Sequence, residues 1–329
     1  MSQTFEHDVV IIGAGPAGMC AAMYAGRALL NAVVLERGFP GGELLNTELV
    51  EDYPGFESIL GSELAQRFAD HAAKFGAQFK NGVTVTTLRK RDDGLFETIG
   101  DNGDIYISPT AIITAGGTPV KLGIPGELEY AGKGVSYCAI CDGNFFRGHT
   151  IAVVGGGDAA VEESDFLTRY ANKVYLIHRR DELRASKILQ KRLFENPKIE
   201  VVWDTVVERV EADQQGLVAN LVLRNVNNDE RSNLTATGLF VFIGFRPNTG
   251  IIDGHVDHDE MGYLRTDANM QTSIPGLFAA GDVRAQLTRQ VTTAVGDATT
   301  AAIASEKYLK ALRDGEREPA IQGTGGYTS

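Results

Sequence analysis

No stretch of this 329-residue chain reaches the run of about 18 apolar residues that a membrane-crossing helix needs, so no membrane partner is expected. Basic residues are in deficit. Thirty-one Lys and Arg against 43 Asp and Glu leave a formal charge of −12, which speaks against nucleic-acid binding, a function that needs a basic face. Cysteine is scarce, with three in all. The amino terminus runs from the polar stub MSQTFEHD straight into VVIIG, without the pattern of a signal peptide. Few cysteines and no export signal predict a reducing compartment, where a nearby pair is more often catalytic or metal-binding than a structural staple. What is abundant is glycine: 38 residues, much of it in tight clusters, as where backbone approaches a ligand. The length allows two domains, each with its own core.

One pattern occurs twice. Residues 8–37 read DVVIIGAGPAGMCAAMYAGRALLNAVVLER, and residues 150–180 read TIAVVGGGDAAVEESDFLTRYANKVYLIHRR. Each predicts a β-branched strand, a glycine turn, a helical stretch of roughly 17 residues and a second strand ending in charge. The turns are Gly13-x-Gly15-x-x-Gly18 and Gly155-x-Gly157-x-x-Ala160. In such a turn the first glycine permits the bend and the second lets backbone approach a pyrophosphate. The third small residue lets the helix pack close, with its N-terminal amides aimed at the anion.

The charges ending the second strands separate the two ligands. Glu36 lies 23 residues after Gly13, where a carboxylate accepts hydrogen bonds from an unphosphorylated ribose. At the same offset from Gly155 stands His178, followed by Arg179 and Arg180, with Arg184 one turn further on. A 2′-phosphate calls for guanidinium partners and is repelled by a carboxylate. The first turn therefore reads as an FAD or NAD site and the second as an NADP site.

Later segments complete the first fold. Residues 109–117, PTAIITAGG, predict a strand ending in glycines that returns past the first nucleotide. Residues 275–284, PGLFAAGDVR, predict a short apolar strand ending at Gly281-Asp282. This segment resembles one in disulfide-reductase flavoproteins, which implies FAD at the first site with Asp282 on the ribityl chain. The expected fold is α/β, with two Rossmann-like, three-layer ββα nucleotide-binding domains. An NADPH domain, 118–247, carries the CAICD motif and is inserted into a discontinuous FAD domain, 1–117 and 248–329. The joints fall near residue 117 and at Arg246-Pro247-Asn248, both Gly/Pro-marked turns. Residues 217–243 predict an antiparallel pair turning at Asn227-Asn228-Asp229, and the polar stretch Asp314 to Ser329 reads as a mobile tail.

Residues 136–146, SYCAICDGNFF, hold Cys138 and Cys141 with Asp142 directly behind them. A structural zinc site needs four ligands, and two thiols supply half. Cys20 belongs to the first predicted helix as a small buried residue, and no second ligand pair follows at zinc spacing, so no metal is expected. CxxC between glycine and aromatic residues is not a typical core pattern either. A redox disulfide explains more. In CxxC one thiol is often depressed in pKa and the other lies within bonding reach. The pair directly precedes a nucleotide-binding strand, and a disulfide accepts the two electrons that a flavin can pass on. Asp142 has two readings: a proton source or sink for the thiolate, given a pKa raised by burial, or a helix N-cap.

Taken in order, GAGPAG, PGGELLNT, EDYPG, KLGIPGE, CAICDG, VVGGGDAAVEE, HRRDELRASK, SIPGLFAAGDV and RQVTTAVGDA closely resemble the low-molecular-weight, bacterial-type thioredoxin reductases, from about residue 8 to about residue 312. The resemblance implies FAD on Gly13, Gly15, Pro16, Ala17 and Glu36. It adds the turn Gly41, Gly42, Glu43 and Leu44, with Asp52, Ala115 and Gly116, closed by Gly281, Asp282, Arg289, Gln290 and Val291. NADPH is implied on Gly155, Gly157, Asp158, Ala159, Ala160, Glu162 and His178, with its 2′-phosphate on Arg179, Arg180 and Arg184. Cys141 is then the thiol facing the flavin, Cys138 the one that attacks the disulfide of thioredoxin, and Asp142 the acid for the leaving thiolate. The resemblance also implies a cytoplasmic homodimer, and rotation of the inserted domain about the joints near 117 and 247 between half-reactions.

Departures from the family pattern are few. Ile140 replaces a threonine between the thiols, and Glu43 replaces a glutamine, adding negative charge that disfavours a reduced flavin anion. Thr114-Ala115-Gly116 stands for ATG, and Asp52 for an asparagine. Relatives that reduce peroxiredoxins carry an extra amino-terminal thioredoxin-like module, whereas this chain begins at the FAD fold. Relatives fed by ferredoxin or a deazaflavin, and dithiol oxidases, lack a complete NADPH motif, which is intact here. Another thioredoxin-like acceptor, or a redox sensor without turnover, are the alternatives.

Overall fold

The computed structural model describes residues 2–47 and 49–316; the expected mobile tail lies, past Glu316, outside them. The chain divides into two compact units, one formed by the chain up to Thr118 and again from Arg246, the other by Pro119–Phe245.

The first unit is built on a five-stranded parallel sheet. Its order is Leu277–Ala279, Thr110–Ile113, Val9–Ile12, Ala32–Glu36, Gln78–Asn81. All four residues of Val9–Ile12 are buried, as a parallel strand covered on both faces requires. One face packs on the helices Pro16–Arg27 and Val291–Arg313 through Ala17, Ala21, Ala25, Ala298 and Ala301, small residues that bring helix and sheet close. The other face, with Val10, Ile12, Val33 and Leu35, packs on Val85, Leu88, Phe96 and Tyr106. Those four belong to a second five-stranded sheet, which gives the expected three layers.

The second unit repeats the plan. Its parallel sheet runs Val135–Ser136, Gly238–Phe242, Thr150–Gly155, Lys173–Ile177, Ile199–Val202. The helix Asp158–Leu167 covers one face, and a three-stranded antiparallel sheet, Thr205–Ala212, Val218–Asn225 and Arg231–Thr235, covers the other. In both units the glycine turn follows the strand at which the order reverses, the position where open α/β sheets bind ligands.

Two local expectations are corrected. The helices after the glycine turns are 12 and 10 residues long rather than roughly 17. The first ends as Leu29 takes a left-handed conformation (φ 58°), and the second at Thr168, whose hydroxyl donates back to the Asp165 carbonyl. The antiparallel pair turning at residues 227–229 ends at Thr235, short of 243, and has a third strand beside it. Gly238–Phe242 leaves it for the parallel sheet, because its run of apolar residues needs cover on both faces whereas Arg231–Thr235 is largely exposed.

Candidate active site

At the first glycine turn a side chain on Gly18 would collide with the Gly13 carbonyl, so glycine there lets the helix approach the strand. Thr114 holds the turn from the neighbouring strand, its Oγ1 within 2.9 Å of the Ile12 carbonyl and 2.7 Å of the Gly13 carbonyl. The loop Gly41-Gly42 crosses the same turn. Gly42 has φ +55°, and a Cβ there would lie 2.9 Å from Gly15 Cα. Gly15 caps the helix without any side-chain hydrogen bond and Pro16 follows, leaving the N-terminal amides free of a protein cap. The Glu36 carboxylate ends the second strand, accepting the Ala14 N–H at 2.7 Å and the Gly38 N–H at 2.8 Å.

Gly281 is buried against Ala17, and its N–H donates to Asp297 at 3.2 Å. Asp297 also pairs with Arg284 at 2.8 Å. Asp282, next in the chain, accepts no hydrogen bond from the described residues. Burial pushes its carboxyl up to about 6; the Arg289 guanidinium pulls it down, and the charges of Glu43 and Asp297 push it up further. Arg289 itself is stacked 3.9 Å over the Tyr263 ring. Ala17 is buried. Ala115 and Gly116 are held by Asn248, whose Nδ2 donates to the Ala115 carbonyl at 2.8 Å and whose N–H donates to Gly116 at 3.0 Å. Gln290 starts the long helix, its N–H donating to Thr293 Oγ1 at 3.1 Å. Leu44 and Val291 share an apolar cluster with Val50 and Leu64, and Asp52 is exposed, without a partner among the described residues.

At the second turn a Cβ on Gly155 would collide with the Phe242 carbonyl and the Ala160 methyl, which fixes the close packing. Gly157 faces open space and caps its helix without a side-chain bond. His178 is 6% exposed and lies over Gly156, where a Cβ would strike its ring. Its Nε2 is 3.0 Å from the Glu182 carbonyl. Burial lowers its pKa, against the backbone hydrogen bonds with Glu182 and Gly155 that raise it. Arg179, Arg180 and Arg184 are exposed and meet no carboxylate among the described residues, in a chain where acids outnumber bases. Asp158 and Ala159 are exposed at the helix start, Ala160 is buried, and Glu162 is exposed one turn on.

In the same unit Cys138 and Cys141 form a closed disulfide with Cα atoms 5.4 Å apart. Cys138 precedes the short helix Ala139–Asp142, and its Sγ accepts the Cys141 N–H at 3.3 Å. Ile140 packs on the apolar core of the unit, which accounts for an aliphatic side chain between the thiols. The Asp142 carboxylate makes no capping hydrogen bond to the turn Gly143–Phe146 that it precedes, which removes the N-cap reading. Cys20 is buried as expected, its thiol pushed up by burial.

Thr114, Asn248, Asp297, Arg284 and Gly156 were given no site role by reasoning from the sequence, although all five fall inside segments it singled out. Two nucleotide-type turns and a closed CxxC pair define a nucleotide-dependent disulfide oxidoreductase. The model of the pyridine nucleotide-disulphide oxidoreductase family matches residues 7–298. The chain is 44% identical to the thioredoxin reductase of Bacillus subtilis (strain 168) over 314 residues, 95% of this chain and 98% of that one. The Lactococcus lactis thioredoxin reductase structure superposes with a TM-score of 0.90 at 43% identity, covering 93% of this chain and 100% of that one. The T. acidophilum thioredoxin reductase gives 0.87 at 35% identity, covering 93% and 99%. The chain belongs to the pyridine nucleotide-disulphide oxidoreductases and, within them, to the thioredoxin reductases.

Proposed function

We propose that the chain is an NADPH-dependent, FAD-containing thioredoxin-disulfide reductase. The observation that carries this reading is the closed Cys138–Cys141 disulfide in the unit whose nucleotide turn is followed by three exposed arginines, unpaired among the described residues. The residues fit both cofactors. Uncapped helix starts at Gly15 and Gly157 suit pyrophosphates, Glu36 suits ribose hydroxyls, and Arg179, Arg180 and Arg184 suit a 2′-phosphate. Asp282, raised in pKa and without a donor, suits a hydroxylated chain. When bound, the two cofactors supply the electron pair that opens the disulfide.

The chain's own residues do the rest. The opened pair holds Cys138 as a thiolate, stabilised by the Cys141 N–H. Cys138 Sγ attacks the disulfide of thioredoxin, forming a mixed disulfide, and Asp142 gives the departing thiolate its proton. Cys141 Sγ then attacks Cys138 Sγ, which releases the second thiolate and recloses the pair. The joints near 117 and 247 serve as hinges between half-reactions, and the protein works as a cytoplasmic homodimer without nucleic-acid or membrane partners. No helix of the described residues is long and apolar enough to cross a membrane.

Anaerobic titration with NADPH, then NADH, then oxidised thioredoxin tests the path. Bleaching of the flavin band by NADPH and its recovery on adding thioredoxin is the expected result. A single stoichiometric reduction without turnover would indicate a sensor instead, and equal efficiency of NADH would overturn the role of the arginines.

A further inference from the structure

Glu127 is 1% exposed, and no lysine or arginine of the described residues lies within ion-pair distance of it. A buried carboxylate without a counter-charge is costly unless hydrogen bonds satisfy it. Three donors do so here: the Leu122 N–H at 2.8 Å, the Gly123 N–H at 2.6 Å and the Tyr137 hydroxyl at 2.9 Å. Burial raises the Tyr137 phenol, and the Glu127 hydrogen bond and charge raise it further, so it stays a donor. Lys121 lies 5.7 Å over the Tyr137 ring. The exchange chemistry and the nucleotide turns use none of these groups.

Tyr137 directly precedes Cys138. The strand ladder that positions this segment pairs Val135 with Leu239 and Ser136 with Phe240 and goes no further. Beyond it, side chains take over: Ser136 Oγ accepts the Cys138 N–H at 3.1 Å, and Tyr137 is tied to Glu127.

We propose that Glu127, acting through Tyr137, is a positioning residue for the redox pair, fixing the backbone that enters Cys138 so that the sulfurs are held ready to close. The proposal rests on the reading of Cys138–Cys141 as redox-active. The balance between disulfide and dithiol follows the effective concentration of one thiol at the other, which rises as the backbone between them is restrained. Glu127 binds the Leu122–Gly123 loop and Tyr137 at once, and so supplies that restraint from outside the CxxC turn.

The test equilibrates the flavin-containing protein in reduced and oxidised dithiothreitol, traps free thiols by alkylation and weighs the peptide bearing both cysteines. Tyr137→Phe removes one hydroxyl. Glu127→Gln keeps the shape but turns an amide N–H2 toward backbone donors. Each variant is expected to shift the ratio about tenfold toward dithiol, about 30 mV for a two-electron couple. The double variant shifts it no further than the larger single change, because both break one linkage. A purely structural role would lower the melting temperature and leave the ratio of the folded protein where it was. Wild-type behaviour of Tyr137→Phe, or simple additivity in the double variant, would overturn the proposal. A parent disulfide that no dithiothreitol buffer opens would overturn the redox reading itself, and the proposal with it.

Discussion

The backbone N–H of Ser186 donates to Asp158 Oδ1 at 2.6 Å, fastening the loop that carries Arg180 and Arg184 to the first residue of the helix after the second glycine turn. The Arg184 N–H makes a second tie, to the Gly156 carbonyl at 2.8 Å. Backbone and a short acid thus place the arginines, and their guanidinium groups remain available for an anion.

Arg180→Ala is expected to weaken NADPH binding by about 1–3 kcal/mol, the scale of a lost hydrogen bond to a charged group, and to leave NADH binding unchanged. Calorimetric titration with each nucleotide measures both. An equal loss for the two would remove the 2′-phosphate from the argument.

Gly157→Ala separates fold from binding, because its added methyl meets nothing within 4 Å. Stability should change by less than about 0.5 kcal/mol. NADPH affinity should fall at least about tenfold, since the methyl fills the approach to the pyrophosphate. Gly18→Ala should do the reverse and fail to fold stably, because its Cβ collides with the Gly13 carbonyl.

Asp282 gives a pH dependence of defined sign. Its folded pKa of about 6 lies above the ordinary carboxylate value of 3.8, so between those values the folded protein binds more protons than the unfolded chain. Stability of the flavin-free protein should therefore fall as pH rises through that window and level off above it. Asp282→Asn should be more stable than the parent at neutral pH, on the order of 3 kcal/mol, and indistinguishable from it below the window. Urea denaturation across pH reads this directly. A parent curve that is flat through the window would contradict it.

Cys138→Ser should retain bleaching of the flavin by NADPH and lose reduction of thioredoxin. Stopped-flow absorbance and an insulin-coupled assay separate the two steps. Full thioredoxin reduction by this variant would reverse the roles given to the two thiols.

The parts of the site legible in the sequence are those that depend on near neighbours. A glycine turn between strand and helix, a carboxylate or an arginine pair at a set offset, and two thiols three positions apart carry their chemistry in local spacing. PTAIITAGG and PGLFAAGDVR were legible as strands: Thr110–Ile113 lies beside Val9–Ile12, and Leu277–Ala279 lies beside Thr110–Ile113. Helix ends were not, since the length of Pro16–Arg27 is settled where Leu29 turns back, and propensity alone does not mark that point.

The sequence by itself determined that two nucleotide folds of opposite charge preference share a chain with a CxxC pair. Tertiary structure alone decided what braces them: Thr114 on the Gly13 carbonyl, Asn248 on Ala115, and Glu127 on Tyr137 behind Cys138. Tertiary structure also set the His178 ring against Gly156 and placed Leu44 in an apolar cluster. The physical reason is common to all of them. A hydrogen bond spanning more than a hundred residues, or a polar group made buried by its neighbours, takes its meaning from packing, and packing exists only once the chain has closed on itself.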